Sequence, residues 1–174
     1  ATDIAASAST AGYPAHAQTM NTPSQSERKS NEIRLLGAAT LLAAILALPV
    51  FAIEMGGHMI PALHHWIART IGLHTSHLIQ FALTTLVLIG PGRQFYTKGI
   101  PALLKGAPDM NALVALGTLA AYGLSVVSTF APQWLPAGTA NVYFEAAAVI
   151  VVLILLGRWL EARAKGRTGA AIQK

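Results

Sequence analysis

The sequence predicts an all-α membrane protein of four transmembrane helices, with an amphipathic segment following the second. Three observations carry that prediction. Hydrophobic residues make up 53% of the 174 and charged residues only 11%, against roughly 25% charged in soluble domains. The apolar residues fall into long blocks separated by short polar stretches, the pattern of a chain whose solvent is lipid. Eleven of the twelve lysines and arginines fall on one side of the proposed spans, the asymmetry of cytoplasmic loops.

Residues 1–32 read as a disordered cytoplasmic tail, rich in Ser, Thr, Ala, Pro and Gln and lacking apolar periodicity, so little surface is available to bury. A secretory signal is disfavoured because the first apolar run starts only after Arg34. Residues 33–174 read as the N-terminal part of a transmembrane region. Its first helix covers 35–53, long enough for hydrocarbon roughly 30 Å thick at about 1.5 Å per residue. A polar external loop is expected over 54–76, followed by a second helix over about 77–92. Gly90-Pro91-Gly92 closes that helix, and a residue without a backbone donor between two glycines predicts a sharp kink. Residues 93–105 mix Phe95, Tyr96, Ile100, Leu103 and Leu104 with Arg93, Lys98 and Lys105, which suits a helix lying along the membrane surface. A third helix is expected over Met110–Phe130, a short turn with an interfacial tryptophan over 132–136, and a fourth helix over about 142–165.

Orientation follows from the basic residues. Arg28, Lys29 and Arg34 precede or enter helix one, three cations lie between helices two and three, and five lie at or after the end of helix four. Only Arg69 falls on the other side. Both termini and the amphipathic segment are therefore assigned to the cytoplasm of a multi-pass protein in the cell (inner) membrane. The net charge of +5 does not indicate nucleic acid, because the cations flank apolar blocks and form no stripe with interleaved aromatics. The start at Ala1 without Met, and the stop at Lys174 inside a charged helical run, read as a fragment of a longer protein.

The chain has no cysteine, so disulfides and thiolate metal modules are excluded and any soft-metal ligand must be Met or His. Glu145 and Glu161 are associated with helix four and lie about 24 Å apart along it at 1.5 Å per residue, marking opposite membrane faces. Met110, at the cytoplasmic start of helix three, arrives at the same face as Glu161. A thioether beside a carboxylate suits brief capture of monovalent copper or silver; the plainer reading is that Met110 packs and Glu161 pairs with Arg158 or Lys165. Glu145, followed by Ala146, Ala147 and Ala148, has no neighbouring cation in sequence, and intramembrane carboxylates are functional by default. His58, His64, His65, His74 and His77 fall in the expected external loop with Met55 and Met59. Met55, His58, Met59, His64 and His65 are weak candidates for metal contact, since their spacing matches no tetrahedral zinc pattern and interfacial His is often only polar surface. No Walker-type loop or His-Glu-X-X-His is present, so no nucleotide site or catalytic residue is proposed in this chain.

The stretches Pro-Asp-Met-Asn-Ala-Leu-Val-Ala-Leu-Gly at 108–117, Val-Tyr-Phe-Glu-Ala-Ala-Ala-Val-Ile at 142–150 and Leu-Gly-Arg-Trp-Leu-Glu-Ala-Arg-Ala at 156–164 closely resemble the early transmembrane region of copper-transporting P-type ATPases. The resemblance extends over about residues 33–174 and favours copper over the zinc-transporting relatives. Gly90-Pro91-Gly92 resembles the family's double-glycine kink, with Pro91 standing where a second glycine is usual, and the segment after it resembles the family's cytoplasmic platform. The resemblance implies that Met110 and Glu161 admit the ion and that Glu145 lies on its exit path. It further implies that Arg93, Lys98 and Lys105 draw an acidic copper chaperone to the platform. Cu(+) is the implied cargo of an ATP-driven exporter. ATP and Mg2+ would act only through further helices and cytosolic domains, because this sequence contains no Cys-Pro-Cys helix, Asp-Lys-Thr-Gly motif or nucleotide-binding domain. No ATPase activity is expected of this stretch by itself. The alternative is a non-enzymatic membrane protein that sequesters copper, or acts as a scaffold, through the external His/Met loop.

Overall fold

The computed structural model describes residues 25–59, 69–136, 138–139 and 141–172, with 25, 26, 58 and 167–172 described only in their backbone. These residues are helical and contain no strand. The elements are α1 (Gln25–Met59), α2 (Leu73–Ile89), α3 (Arg93–Leu104), α4 (Met110–Phe130), a 3-10 turn (Pro132–Trp134) and α5 (Phe144–Ile172). Residues from Ile33 onward form one compact unit.

Several boundaries differ from the sequence expectation. Residues 25–32, expected in the tail, are the first turns of α1; Glu27 sits where a negative charge favours a helix start, and Arg28, Lys29 and Glu32 are good helix formers. The rest of the expected tail lies outside the described residues. At its other end α1 runs on through Glu54 and Met55 to Met59, so these three residues are helical and not part of a loop. The second long helix begins at Leu73, because Gly72 takes a left-handed φ of 81° and its carbonyl then accepts the Ser76 N–H at 3.0 Å. His74 and His77 are therefore helical. Residues 60–68, including His64 and His65, lie outside the described residues, as does the side chain of His58. At the far end Gly166 and Gly169 do not stop α5, which continues to Ile172.

Two helices, Glu27–Gly57 and Met110–Phe130, are long and apolar enough to cross a membrane, and the bent pair α2–α3 is a third if it crosses as one span. The expected count of four is not reached on length and apolarity alone, since Glu145, Arg158 and Glu161 place three charges along α5. Between α2 and α3 the axis turns by 67°. Pro91 has no N–H for the Val87 carbonyl, and that carbonyl instead accepts from Gly92 at 2.9 Å. The extra residue in this turn swings the chain aside. A side chain at Gly92 would meet the Val87 and Leu88 carbonyl oxygens at 2.9 and 3.0 Å, so the bend requires glycine there.

The core is assembled from small and branched residues. Ala43 and Ala47 of α1, Val87 and Leu88 of α2, Phe95 of α3, Val114 of α4, and Ala148, Val151 and Leu155 of α5 form its main cluster. A second cluster around Val50, Val142 and Phe144 joins an aromatic group in which the Phe81 ring lies 5.3 to 6.0 Å from those of Tyr122, Phe130 and Phe144. Polar ties cross between helices: the Thr85 and Tyr122 hydroxyls pair at 2.7 Å, those of Tyr96 and Thr118 at 2.8 Å, and the Thr84 hydroxyl donates to the Phe144 carbonyl at 3.3 Å. The Ser125 hydroxyl accepts the Tyr143 N–H at 2.6 Å, fastening the start of α5 to the latter part of α4. Helices α4 and α5 thus run antiparallel.

Candidate functional site

One end of the bundle is organised around Arg158. Its guanidinium, half-buried in α5, donates to Gln94 Oε1 of α3 at 3.2 Å and to Asn111 Oδ1 of α4, and lies 4.9 Å from the centre of the Phe95 ring. One side chain so ties three helices together. Asn111 is buried, and its amide in turn donates to Asp109 Oδ2. Asp109 caps α4 by accepting the Ala112 N–H at 2.9 Å, a preferred role for aspartate. The Ala112 amide and the Asn111 side chain hold the Asp109 carboxyl below its ordinary pKa.

Met110 is the first residue of α4 and is exposed, as is Glu161, one turn beyond Arg158 on α5. The Arg158–Asn111 bond sets the neighbourhoods of both at one end of the bundle. Glu161 itself takes Lys165 as ion-pair partner at 2.6 Å, the plainer of the two sequence readings for its side chain. Arg93, Lys98 and Lys105, on α3 and at its end, are exposed, while Phe95 and Gly99 turn inward. A Cβ at Gly99 would lie 2.4 Å from the Asn111 carbonyl oxygen and 2.7 Å from the Ala112 nitrogen, so glycine is what lets α3 rest against the first turn of α4.

Glu145 lies at the opposite end, in the first turn of α5. There a cavity of about 400 Å³ is lined by Glu54 and Met55 of α1, His77 of α2, and Asn141, Val142, Tyr143 and Glu145. Gln80, buried in α2, donates from Nε2 to Glu54 Oε2 at 3.1 Å. Met55 and Glu145 thus line one cavity, which sequence distance concealed. Among the described residues no three or more His, Cys, Asp or Glu side chains are grouped closely enough to hold a metal ion. The sequence reading missed Arg158 and Asn111 as organisers of one end, and Glu54, Gln80 and His77 as neighbours at the Glu145 end. The available signal was polar side chains inside apolar helical runs, where they need partners.

Apolar helices long enough to span a bilayer, tied by buried polar side chains and carrying ionisable groups at both ends, define an all-helical membrane protein. No family model matches the sequence. The chain is 59% identical over 148 residues to copper-transporting ATPase 1 of Rhizobium meliloti, a match covering 85% of the chain and 18% of that protein. It is 38% identical over 149 residues to the silver exporting P-type ATPase of Salmonella typhimurium, covering 82% and 18% respectively. A copper-exporting P-type ATPase of Staphylococcus epidermidis is 34% identical over 165 residues, covering 94% and 20%. The chain is a homologue of the heavy-metal P-type ATPases and spans about a fifth of the length of these relatives.

Proposed function

We propose that this chain is the N-terminal membrane portion of an ATP-driven exporter of monovalent copper, with silver the related cargo, and that its four long helical units all cross the bilayer. Met110 and Glu161 receive the ion at the cytoplasmic face and Glu145 stands on its way out. The bend at 90–92 turns α3 into a platform on which Arg93, Lys98 and Lys105 attract an acidic copper chaperone. ATP and Mg2+ enter only through other parts of a longer protein.

The observation that carries this reading is the Arg158 junction. It ties the start of α4 and the start of α3 to the middle of α5, one turn before Glu161, which supports a soft thioether and a carboxylate sharing the end at which the cations are exposed. An ion released from a thioether and a screened carboxylate loses little on moving onward, as transport requires. At the other end Glu145, with Met55 and Glu54, offers a carboxylate-rich way out.

The test is copper-dependent ATP hydrolysis and copper uptake into everted vesicles by the longer protein. Met110→Ala and Glu161→Gln are each expected to lower uptake at least about tenfold, a loss of about 1.4 kcal/mol in transition-state stabilisation. Double replacement of His64 and His65 by Ala is expected to leave it unchanged. The opposite pattern would favour the sequestering His/Met loop.

A further inference from the structure

The bend between α2 and α3 opens a groove of about 370 Å³ against α4, within the size range of small-molecule sites. Its walls are Leu88, Ile89, Ile100 and Leu119, together with three hydroxyl-bearing side chains. Those hydroxyls are already engaged: Thr85 with Tyr122 at 2.7 Å, and Tyr96 with Thr118 at 2.8 Å. What they present to the groove is therefore carbon, and the lining offers nothing to a polar ligand except at one place. Arg93 stands at the rim, exposed, and among the described residues its guanidinium has no hydrogen-bond or ion-pair partner. An apolar slot with a single cation at its mouth matches a molecule with a long hydrocarbon chain and an anionic head.

Position supports that match. The groove lies where α2, an apolar helix, gives way to the amphipathic α3 across the 67° turn, the depth at which acyl chains meet headgroups. In the orientation proposed above this is the cytoplasmic leaflet, whose lipids carry the membrane's negative surface charge. Guanidinium and phosphate pair through charge-assisted, often bidentate hydrogen bonds. We propose that the groove binds one anionic phospholipid, its phosphate held by Arg93 and one acyl chain laid between Leu88, Ile100 and Leu119. The bound lipid fills the angle behind the bend and props α3 at its inclination. This inference rests on the membrane reading of the chain and adds a ligand which that reading does not supply.

The protein reconstituted in vesicles of equal phosphatidylglycerol and phosphatidylcholine with identical acyl chains, then released into detergent for native mass spectrometry, provides the test. Wild type is expected to retain phosphatidylglycerol over phosphatidylcholine by about tenfold, because both offer Arg93 a phosphate but only phosphatidylcholine sets a quaternary ammonium beside it, which repels the guanidinium and screens the phosphate. Arg93→Gln should abolish the preference, Leu119→Trp should reduce retention of both lipids by filling the slot, and Lys98→Gln, on the same helix outside the groove, should change neither. Retained preference in Arg93→Gln, or unaltered retention in Leu119→Trp, overturns the site, as does equal retention of both lipids by wild type. A groove covered by another protein segment would give that last result. Failure of the wild-type chain to enter vesicles would overturn the membrane reading as well, whereas insertion without headgroup preference overturns the lipid site alone.

Discussion

Arg158 works through geometry that only its planar fork supplies: one nitrogen reaches Gln94, another Asn111, and the face lies toward Phe95. Truncation leaves the buried Asn111 carbonyl oxygen without its donor, at a cost of about 2 kcal/mol. Arg158→Ala is therefore expected to lower the thermal midpoint in detergent by several degrees, and Arg158→Lys to recover less than half of that loss, read by intrinsic fluorescence. Full recovery with lysine would mean that charge alone matters. Asp109 sets a pH dependence at the same end. Its folded pKa is depressed by the Ala112 N–H and the Asn111 amide, so its contribution is complete above the unfolded value of about 3.9 and is lost as pH falls through the lower folded value. Stability should accordingly be flat with pH at this position from neutrality to mild acid and fall below it, and Asp109→Asn should remove that fall while keeping a capping side chain. A titration unaltered by the substitution would sever the link between cap and pH.

At the scale of elements, α3 rests on α4 through Gly99, and a methyl group there has no place that does not meet backbone. Gly99→Ala should drive α3 away from α4 and destabilise by about 1–3 kcal/mol, the range for overpacked contacts. Spin labels on α3 and α4 would show the displacement, and an unchanged distance distribution would contradict it. The sequence made α4 legible at both ends, because Asp109 is a capping residue before an apolar run that ends ahead of Pro132. The start of α1 and the residues after Ile53 are less legible, because Arg28, Lys29 and Glu32 combine tail-like polarity with good helical propensity and Glu54 is polar yet helical. Backbone geometry sets such a boundary, as the positive φ of Gly72 does at the start of α2, and side-chain polarity alone does not. Met110, Glu161 and Glu145 were legible as candidates from residue type and position. Arg158 was not, since its partners are 64 and 47 residues away, and periodicity along one helix carries no information about which neighbour a polar face will meet.

Across the whole molecule the two ends differ in chemistry. Arg93, Lys98, Lys105 and the Arg158 junction occupy one end, while Glu54, His77 and Glu145 line the cavity at the other. Exposed cations are costly to translocate, so the proposed orientation keeps the cationic end in the cytoplasm. These 174 residues contain no cysteine, so the chain itself can be tested by single substitutions labelled with a membrane-impermeant maleimide. Lys98→Cys and Lys105→Cys should react in everted vesicles and not in right-side-out ones, and Arg69→Cys should do the reverse. If all three positions label from the same side, the bent pair α2–α3 does not cross the bilayer as one span. Met110 and Glu145, joined through α4, would still lie on opposite faces, but His77 of α2 could then not share the Glu145 cavity, and that part of the exit path would have to be abandoned.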